Sequence, residues 1–561
     1  MTLNISTSSS KGRTGGQVLV DALRINGVKT VYCVPGESFL PVLDALYLVR
    51  DDIDLITCRQ EGGATHMAEA QGKITGEPGI CFVTRGPGST NASIAVHTAR
   101  QDSTPLILFV GQVERGVLGR EAWQELDYRQ MFGSIAKWVD QVDSADRLPE
   151  MISRAFSVAT SGRPGPVVLA LPEDMLFELS TVKDAQKYQS SQAAPTQESL
   201  TQMQDLISKA QKPLLILGGG GWNAQATLDI AQFSEAFGLP VACVFRRQDL
   251  INNQHSNYVG EIGLGMNPKL HEQIDESDLL IVVGARMGET STNAYTLLDI
   301  PNPKQTFIHI HSDANELGHV YQPTLGINSG LATFAAAAKK LNAPAISSDK
   351  KERIIKARQH YLDFIKPLET IGPINLGEIV SYLNKTIPED SYIANGAGNY
   401  TLWVQRFFQY KKFKTQLAPA SGTMGYGLPA AIAAKIEHPE RLSICFAGDG
   451  CFLMNGQELA TAVQYQANVI IVVVNNGMYG SIRMHQERHY PSNVWGSSLS
   501  NPNFIDLAIA YGAHAELVEK TADFPAAFER AENAGRPALI ELQTSDEILT
   551  PRLTVSDLRR A

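Results

Sequence analysis

The chain has 561 residues, of which 43% are hydrophobic and 19% are charged, so it can bury several cores and is typical of a soluble globular protein. Its net charge of −10 is spread along the sequence, and the one dense basic cluster, Lys350, Lys351 and Arg353, is short and interrupted by acid. We therefore expect neither nucleic acid nor an anionic membrane as a partner.

The start of the sequence, MTLNISTSSSKGRTGG, is polar and lacks the apolar core of a signal peptide, and no later run is long and apolar enough to span a bilayer. This pattern predicts a cytoplasmic location. The cysteines contain no C-x-x-C pair and are predicted to be buried thiols rather than disulfides or a zinc site. They are Cys33, Cys58, Cys81, Cys243, Cys445 and Cys451.

Two polar stretches, residues 183–198 and about 342–372, divide the chain into three segments with predicted limits of 1–185, 195–341 and 370–561. In each segment, short β-branched runs such as GICFVTRG and PVVLALPE alternate with longer helical patterns. This alternation is typical of βαβ units. The sequence therefore predicts an α/β protein with three Rossmann-like, doubly wound parallel-sheet domains.

The middle segment opens with PLLILGGGGW, in which residues 218–221 are all glycine. This turn could approach a dinucleotide phosphate, but the full G-x-G-x-x-G pattern is missing. We therefore favour tight packing of the turn over cofactor binding as the reason for these glycines.

The third segment carries the strongest functional signal. LSICFAGDG is an apolar strand that ends in Gly448, Asp449 and Gly450, and VIIVVVNN is a second strand that ends in Asn475 and Asn476. Each motif alone is more often an ordinary turn or cap. Carboxyl ends of neighbouring parallel strands share one edge, however, so Asp449 and Asn476 are predicted to meet there. Their oxygen atoms suit Mg²⁺ that also holds phosphate, and the glycines let the backbone come close to that phosphate.

Together these motifs resemble the signature of thiamine diphosphate enzymes of the acetolactate synthase-like family. The likeness covers nearly the whole chain, with a pyrimidine-binding domain first, a central domain second and a diphosphate-binding domain last. It implies that Mg²⁺ is held by Asp449, Asn476 and the backbone carbonyl of Met478. The residues that the resemblance places around the cofactor are Glu61, Asn399, Tyr400, Met424, Gly448, Asp449, Gly450, Cys451, Asn476, Met478, Tyr479 and Gly480.

Two of these residues have specific implied roles. Glu61 stands at the end of a strand and the start of a helical stretch, and the resemblance implies that it hydrogen-bonds a ring nitrogen of the aminopyrimidine. The alternative is an acid favoured by the helix dipole. Met424 lies in SGTMGYG, where the family props the cofactor in a bent shape with a bulky apolar side chain. The alternative there is an ordinary core methionine.

The candidate catalytic residues besides Glu61 are Glu37, Gln112 and Gln124. Glu37, in VPGESFL, stands where acetolactate synthases usually have glycine, so a carboxylate there would change the charge that the substrate meets. It could also act as an acid–base group or merely cap the next helix. Gln112 and Gln124 could donate hydrogen bonds to a substrate carbonyl or hydroxyl, although surface amides are the commoner fate of glutamine.

The resemblance implies decarboxylation of a small 2-oxo acid and carboligation to a second carbonyl, with 2-oxo acids or aldehydes as substrates. The alternatives are a non-ligating decarboxylase, an aldehyde lyase or carboligase of the same family, flavin-dependent oxidation and a non-catalytic cofactor-binding protein. No adjacent His-His pair is present, which favours carboligation. FAD is possible but not favoured, because Gly284-Ala285-Arg286 is not followed by the family's acidic run. The resemblance also implies a homodimer or homotetramer with active sites at the subunit interface.

Overall fold

The computed structural model describes residues 12–560, which divide into one compact unit that ends at Ser191 and a second that begins at Gln192. Residues 1–11, which the signal-peptide argument used, and Ala561 lie outside the described residues. Three six-stranded parallel sheets, one in the first unit and two in the second, confirm the predicted α/β class with three domains. The limits 1–185, 195–341 and 370–561 stay predictions.

The first unit is built on an all-parallel sheet whose inner strands are buried along their whole length. Buried parallel strands are continuous apolar runs, as GICFV and LILFVGQ show here. The strands are β1 Arg13–Thr14, β2 Thr30–Cys33, β3 Asp54–Thr57, β4 Gly79–Val83, β5 Leu106–Gln112, β6 Trp138–Gln141, β7 Pro166–Pro172 and β8 Leu179–Ser180. The helices are α1 Gly15–Ile25, α2 Leu40–Leu48, α3 Glu61–Thr75, α4 Gly86–Asp102, α5 Tyr128–Phe132, α6 Leu148–Thr160 and α7 Glu173–Phe177, with 3-10 turns at Glu37–Phe39, Arg115–Val117 and Ala145–Arg147. The sheet order is β3-β2-β4-β5-β7-β6, and β1 pairs with β8.

The second unit begins with the central sheet. Its strands are β9 Pro213–Leu217, β10 Val241–Val244, β11 Tyr258–Ile262, β12 Leu279–Val283, β13 Thr306–His311 and β14 Leu325–Asn328. Its helices are α8 Gln197–Lys209, α9 Ala224–Phe237, α10 Pro268–Glu276, α11 Leu331–Ala338 and α12 Ser348–Phe364, with 3-10 turns at Gln248–Leu250, Glu289–Thr292 and Ala314–Glu316. The order β11-β10-β9-β12-β13-β14 is the Rossmann order. Leu215 and Leu217 belong to the core on one face, and Leu214 and Ile216 to the core on the other.

The glycines of the central turn are explained by close packing. Gly219 has a φ of +71°, and a Cβ added to it would lie 1.9 Å from the carbonyl oxygen of Gly284. The polar stretch 342–372 differs from the expected linker, because it contains helix α12. Ala357 and Tyr361 bury that helix against the two central cores. Most residues of α12 are polar, so the sequence pattern does not show that the helix packs against these cores.

The last sheet repeats the strand order of the first. Its strands are β15 Tyr392–Asn395, β16 Gln416–Leu417, β17 Ser443–Gly448, β18 Ile470–Asn475, β19 His514–Val518 and β20 Ala538–Gln543, in the order β16-β15-β17-β18-β20-β19, and β21 Ile548–Thr550 pairs with β22 Leu553–Thr554 outside it. The helices are α13 Leu376–Thr386, α14 Thr401–Phe407, α15 Gly427–Glu437, α16 Asp449–Phe452, α17 Leu459–Gln464, α18 Gly480–His489, α19 Phe504–Ala510, α20 Phe524–Glu532 and α21 Val555–Arg560, with 3-10 turns at Gly456–Glu458 and Thr521–Asp523.

Ligands of open α/β sheets bind at the carboxyl edge, where the strand order reverses. In the last sheet this point lies between β15 and β17, and in the first between β2 and β4. Of the predicted site residues, Asn399, Asp449 and Glu37 follow β15, β17 and β2 at these points.

The six cysteines are buried and free, which confirms their prediction as buried thiols. Burial raises the pKa of Cys33 to about 12. No helix within residues 12–560 is long and apolar enough to cross a membrane. The cytoplasmic location stays a prediction.

Candidate active site

The two strand ends that carry the strongest motifs are neighbours in the structure. β17 and β18 pair in parallel, with Gly448 opposite Val474. Asp449 and Asn476 therefore leave the sheet at the same edge, and the backbone amides of Gly477 and Met478 help to lower the pKa of the Asp449 carboxyl. The sequence-based expectation that these segments meet is correct.

The Asp449 carboxylate is only 2% exposed, and donors surround it. Oδ1 accepts from the backbone amide of Gly450 at 2.9 Å, and Oδ2 accepts from Nδ2 of Asn501 at 2.7 Å. Burial raises the pKa of Asp449, and these hydrogen bonds partly offset that rise because they favour the ionised form. Burial makes the ionised carboxylate energetically costly, and a bound cation would offset that cost.

Asn501 is a site residue that the sequence did not indicate. Its Nδ2 also donates to Oδ1 of Asn475 at 2.9 Å, and Nδ2 of Asn475 donates to Oε1 of Glu541 at 2.7 Å. Its Oδ1 is buried, and among residues 12–560 it has no hydrogen-bond partner. This chain of contacts from Glu541 to Asp449 holds the two loops in register.

The oxygen donors at this edge fit a hard cation. Oδ1 of Asn476 accepts from the backbone amide of Met478 at 3.3 Å, so the amide side chain and the Met478 backbone already lie together. The described part of the chain contains no group of three or more His, Cys, Asp or Glu side chains that could hold a metal. A metal here would therefore depend on one carboxylate together with amide and carbonyl oxygens, which Mg²⁺ accepts when phosphate completes its ligands.

A cavity of about 730 Å³ opens beside these donors within the second unit. All the predicted site residues of that unit line it, so the structure brings them together. They are Asn399, Tyr400, Met424, Gly448, Asp449, Gly450, Cys451, Asn476, Met478, Tyr479 and Gly480.

At two positions in the wall of this cavity, glycine leaves space that a larger side chain would fill. A Cβ added to Gly448 would lie 3.1 Å from the ring of Tyr400, and one added to Gly450 would lie 2.5 Å from Cε1 of Tyr479. Helix α18 begins at Gly480, and Oγ of its Ser481 donates to Oδ1 of Asn399 at 2.8 Å. Open backbone beside a helix N-terminus is a suitable cradle for phosphate oxygens.

Tyr400 and Cys451 line the same cavity and contact each other. The Tyr400 hydroxyl accepts from the backbone amide of Gly396 at 3.0 Å and donates to Sγ of Cys451 at 3.3 Å. Met424 is half-buried against the last core and stands between Gly422 and Gly425, whose φ angles are +67° and +81°. The left-handed glycines turn the backbone on both sides, which presents Met424 to the cavity.

In the first unit, Glu61 is the first residue of helix α3, after β3, as predicted. Its Oε2 accepts from Nδ2 of Asn91 at 2.8 Å. The first sheet places Glu61, Glu37 and Gln112 at one carboxyl edge, because they follow or end β3, β2 and β5, which are parallel strands of the same sheet.

The two glutamines have different surroundings. Gln112 is 3% exposed; its Nε2 donates to the carbonyl of Leu126 at 3.0 Å, and its Oε1 accepts from the amide of Val113 at 3.0 Å. Gln124 is partly buried with a φ of +67°, and its carbonyl accepts from the amide of Gly86 at 2.9 Å. Such a strained backbone is commonest at functional positions, so the structure favours Gln124 over Gln112 as a substrate contact. Both roles stay predictions.

Glu37 begins the short 3-10 turn after β2, and its side chain is 57% exposed. Its Oε1 lies 3.4 Å from Nη1 of Arg85, a buried arginine that also pairs with Glu173. The carboxylate is therefore partly neutralised by a cation at the same sheet edge.

The cavity of the second unit also contains basic residues that sequence analysis missed. His485 and Arg488 come from helix α18, where His485 stacks on His489 at 6.5 Å between ring centroids. Arg406 comes from α14 and Arg552 from the segment between β21 and β22. The i, i+4 spacing of His485 and His489 could have indicated this basic surface, because it places both side chains on one helix face.

Comparison with known proteins identifies the family. Residues 13–131 match the N-terminal TPP binding domain of thiamine pyrophosphate enzymes, residues 200–355 the central domain and residues 396–542 the C-terminal TPP binding domain. The chain belongs to the thiamine pyrophosphate enzyme family. Thiamine pyrophosphate is another name for thiamine diphosphate.

Curated relatives of this family match almost the whole chain. The large subunits of acetolactate synthase isozymes 2 and 1 of Escherichia coli are 30% and 31% identical to it, over 95% and 97% of this chain and 96% of each relative. The acetolactate synthase large subunit of Parasynechococcus marenigrum is 32% identical over 89% of this chain and 82% of its own length. The family assignment made from the GDG and NN motifs is thus confirmed.

Proposed function

We propose that this thiamine pyrophosphate enzyme uses Mg²⁺ and thiamine diphosphate to decarboxylate a small 2-oxo acid and to join the remaining unit to a second carbonyl compound. The observation that carries the proposal is the cavity in which Asp449, Asn476 and Met478 meet beside the glycine cradle. The names of the acetolactate synthase relatives support the same reaction type.

In this proposal Asp449, Asn476 and the carbonyl of Met478 would hold Mg²⁺, which would supply positive charge for the diphosphate. Backbone amides at the start of α18 donate to phosphate oxygens, and Gly448 and Gly450 keep the approach open. When bound, thiamine diphosphate accepts the electron pair released as CO₂ leaves. The buried Asp449 stays ionised because Asn501 and the metal both favour its charged form.

Residues of the first unit position the substrate and handle protons. Glu61 would hydrogen-bond a ring nitrogen of the aminopyrimidine, and Asn91, which donates to the Glu61 carboxylate, would help to orient it. Met424 of the second unit, which lines the cavity, would contact the cofactor when it is bound. Gln124 donates to the substrate carbonyl, and Glu37 sets the local charge or exchanges a proton.

A second candidate is decarboxylation that ends in protonation. The sequence contains no adjacent His-His pair, but the cavity contains His485. An imidazolium group can donate the proton that this step requires. Replacement of His485 by phenylalanine would then lower aldehyde release without lowering carboligation.

We also propose a cytoplasmic homodimer or homotetramer with active sites at the subunit interface, as the family resemblance implies. Mixing inactive Glu61→Gln and Asp449→Ala chains under subunit exchange should then regenerate some active sites. An active monomer in sedimentation would contradict this assembly.

The deciding experiment is a screen of 2-oxo acids with and without aldehyde acceptors, read by product identification. Carbon–carbon bonded hydroxyketones or acetohydroxy acids support carboligation, whereas aldehyde and CO₂ alone support the second candidate. Consumption of no 2-oxo acid by the reconstituted protein would contradict both.

A further inference from the structure

The wall of the cavity contains more cationic side chains than the proposed metal site requires. Four arginines line the cavity, and Asp449 is the only acid among the described residues of its wall. The arginines come from separate elements and are Arg246, Arg406, Arg488 and Arg552. Asp449 is already engaged by Asn501 and by the loop of Gly477. Arg246 already donates to the carbonyl of Pro419, so Arg406 and Arg552 are the cations considered further.

Arg406 is the most informative of these residues because it is buried, with an exposed fraction of 9%. Its Nε donates to the carbonyl of Phe364 at 2.8 Å, and its Cζ lies 4.1 Å from the centroid of the Phe364 ring. Burial, followed by the like charge of Arg552, lowers the pKa of Arg406 to about 10. A buried cation without a carboxylate beside it is costly to the free protein.

Arg552 approaches the same aromatic ring. Its Cζ lies 4.9 Å from the Phe364 centroid, so both guanidinium groups contact one ring. Within residues 192–560, neither Arg406 nor Arg552 forms an ion pair. The like charge of Arg552 disfavours the charged form of Arg406, and an anion that contacts both guanidinium groups would offset this repulsion.

We propose that Arg406, Arg552 and Phe364, here called the arginine end, bind an oxyanion carried by the substrate at a distance from its reacting carbonyl. The oxyanion is a carboxylate or a phosphate, since the planar guanidinium fork matches both. The ring of Phe364 contacts both guanidinium groups and so holds them at the same part of the cavity wall. The substrate class is thus a 2-oxo acid or aldehyde with a second anionic group. This inference rests on the proposed function of the same cavity.

Arg552 offers the cleaner test because its side chain is exposed and makes no buried hydrogen bond, whereas Arg406 also holds the end of helix α12. Arg552→Gln should therefore fold normally. Arg560→Gln is a matched control, because Arg560 is an exposed arginine of the same carboxyl-terminal segment outside the cavity wall.

The kinetic arm compares acceptors of similar size in the reconstituted enzyme: propionaldehyde, succinic semialdehyde and glyceraldehyde 3-phosphate. Arg552→Gln should raise KM for the anionic acceptor that fits the site by about tenfold, with kcat nearly unchanged, since a charge-assisted hydrogen bond is lost. KM for propionaldehyde should stay the same, and Arg560→Gln should match the wild type. A rise in KM for succinic semialdehyde would identify a carboxylate as the ligand, and a rise in KM for glyceraldehyde 3-phosphate would identify a phosphate. Equal effects of Arg552→Gln on neutral and anionic acceptors would overturn the proposal.

The binding arm separates this inference from the proposed function. Calorimetry of the holoprotein with succinate and with inorganic phosphate should show binding of at least one probe, weakened about tenfold by Arg552→Gln. Such binding supports the anion site even if no 2-oxo acid is consumed. Absence of binding by both probes would overturn it even if the enzyme is active.

Discussion

Asn501→Ala should weaken the binding of Mg²⁺ and thiamine diphosphate without unfolding the protein. The substitution removes the donor at 2.7 Å from Oδ2 of Asp449 and at 2.9 Å from Oδ1 of Asn475. A hydrogen bond to a charged group contributes about 1.5–3 kcal/mol, which corresponds to about 10- to 150-fold in affinity. It also removes the buried Oδ1 that has no partner within residues 12–560, so part of the stability cost is offset.

Isothermal titration of the apoprotein with Mg²⁺ and thiamine diphosphate measures the effect. Asn493→Ala, at an exposed loop position, is the control and should bind like the wild type. An affinity for Asn501→Ala within twofold of the wild type would refute the reasoning that this contact orients Asp449.

Three further predictions test other parts of the account. Glu61→Gln should bind cofactor but lose proton exchange at the thiazolium C2, measured by NMR; exchange at the wild-type rate would remove Glu61 from the proton path. Glu37→Gly should favour pyruvate self-condensation over condensation onto a neutral aldehyde, because an exposed carboxylate is lost; an unchanged product ratio would contradict its role. Burial lowers the pKa of His309 to about 4, below its unfolded value near 6.5, so only the unfolded state takes up this proton between those pH values. Protonation of this group should lower the free energy of unfolding by about 3 kcal/mol as the pH drops from 6.5 to 4. Thermal unfolding at several pH values should show a smaller decline in His309→Gln and the full decline in His97→Gln, which replaces an exposed histidine as the control.

The meeting of the Asp449 and Asn476 segments could be predicted because the sequence pattern that indicates it is local. An apolar run ends at Gly448 and another at Asn475, and parallel pairing alone brings their ends together. The repeated strand order of the first and last sheets is a non-local property. No periodicity in the sequence encodes which strands become neighbours.

Residues that reach the site through loops could not be predicted from the sequence alone. Asn501 follows an irregular run without helical or strand periodicity, so its contact with Asp449 depends on how the loop folds back. Arg406 and Arg552 are about 146 positions apart along the chain, and Phe364 lies at the end of a helix in a stretch interpreted as a linker. Their shared cavity is a product of tertiary packing.

Dependence on both cofactors tests the central claim most directly. The protein is stripped with a chelator and dialysed, and CO₂ release and carbon–carbon product formation from a 2-oxo acid are then followed after addition of Mg²⁺ alone, thiamine diphosphate alone, or both. Activity should return only with both, and Asp449→Ala should stay inactive at cofactor concentrations that saturate the wild type. Full activity of the stripped protein, or undiminished activity of Asp449→Ala, would contradict the account.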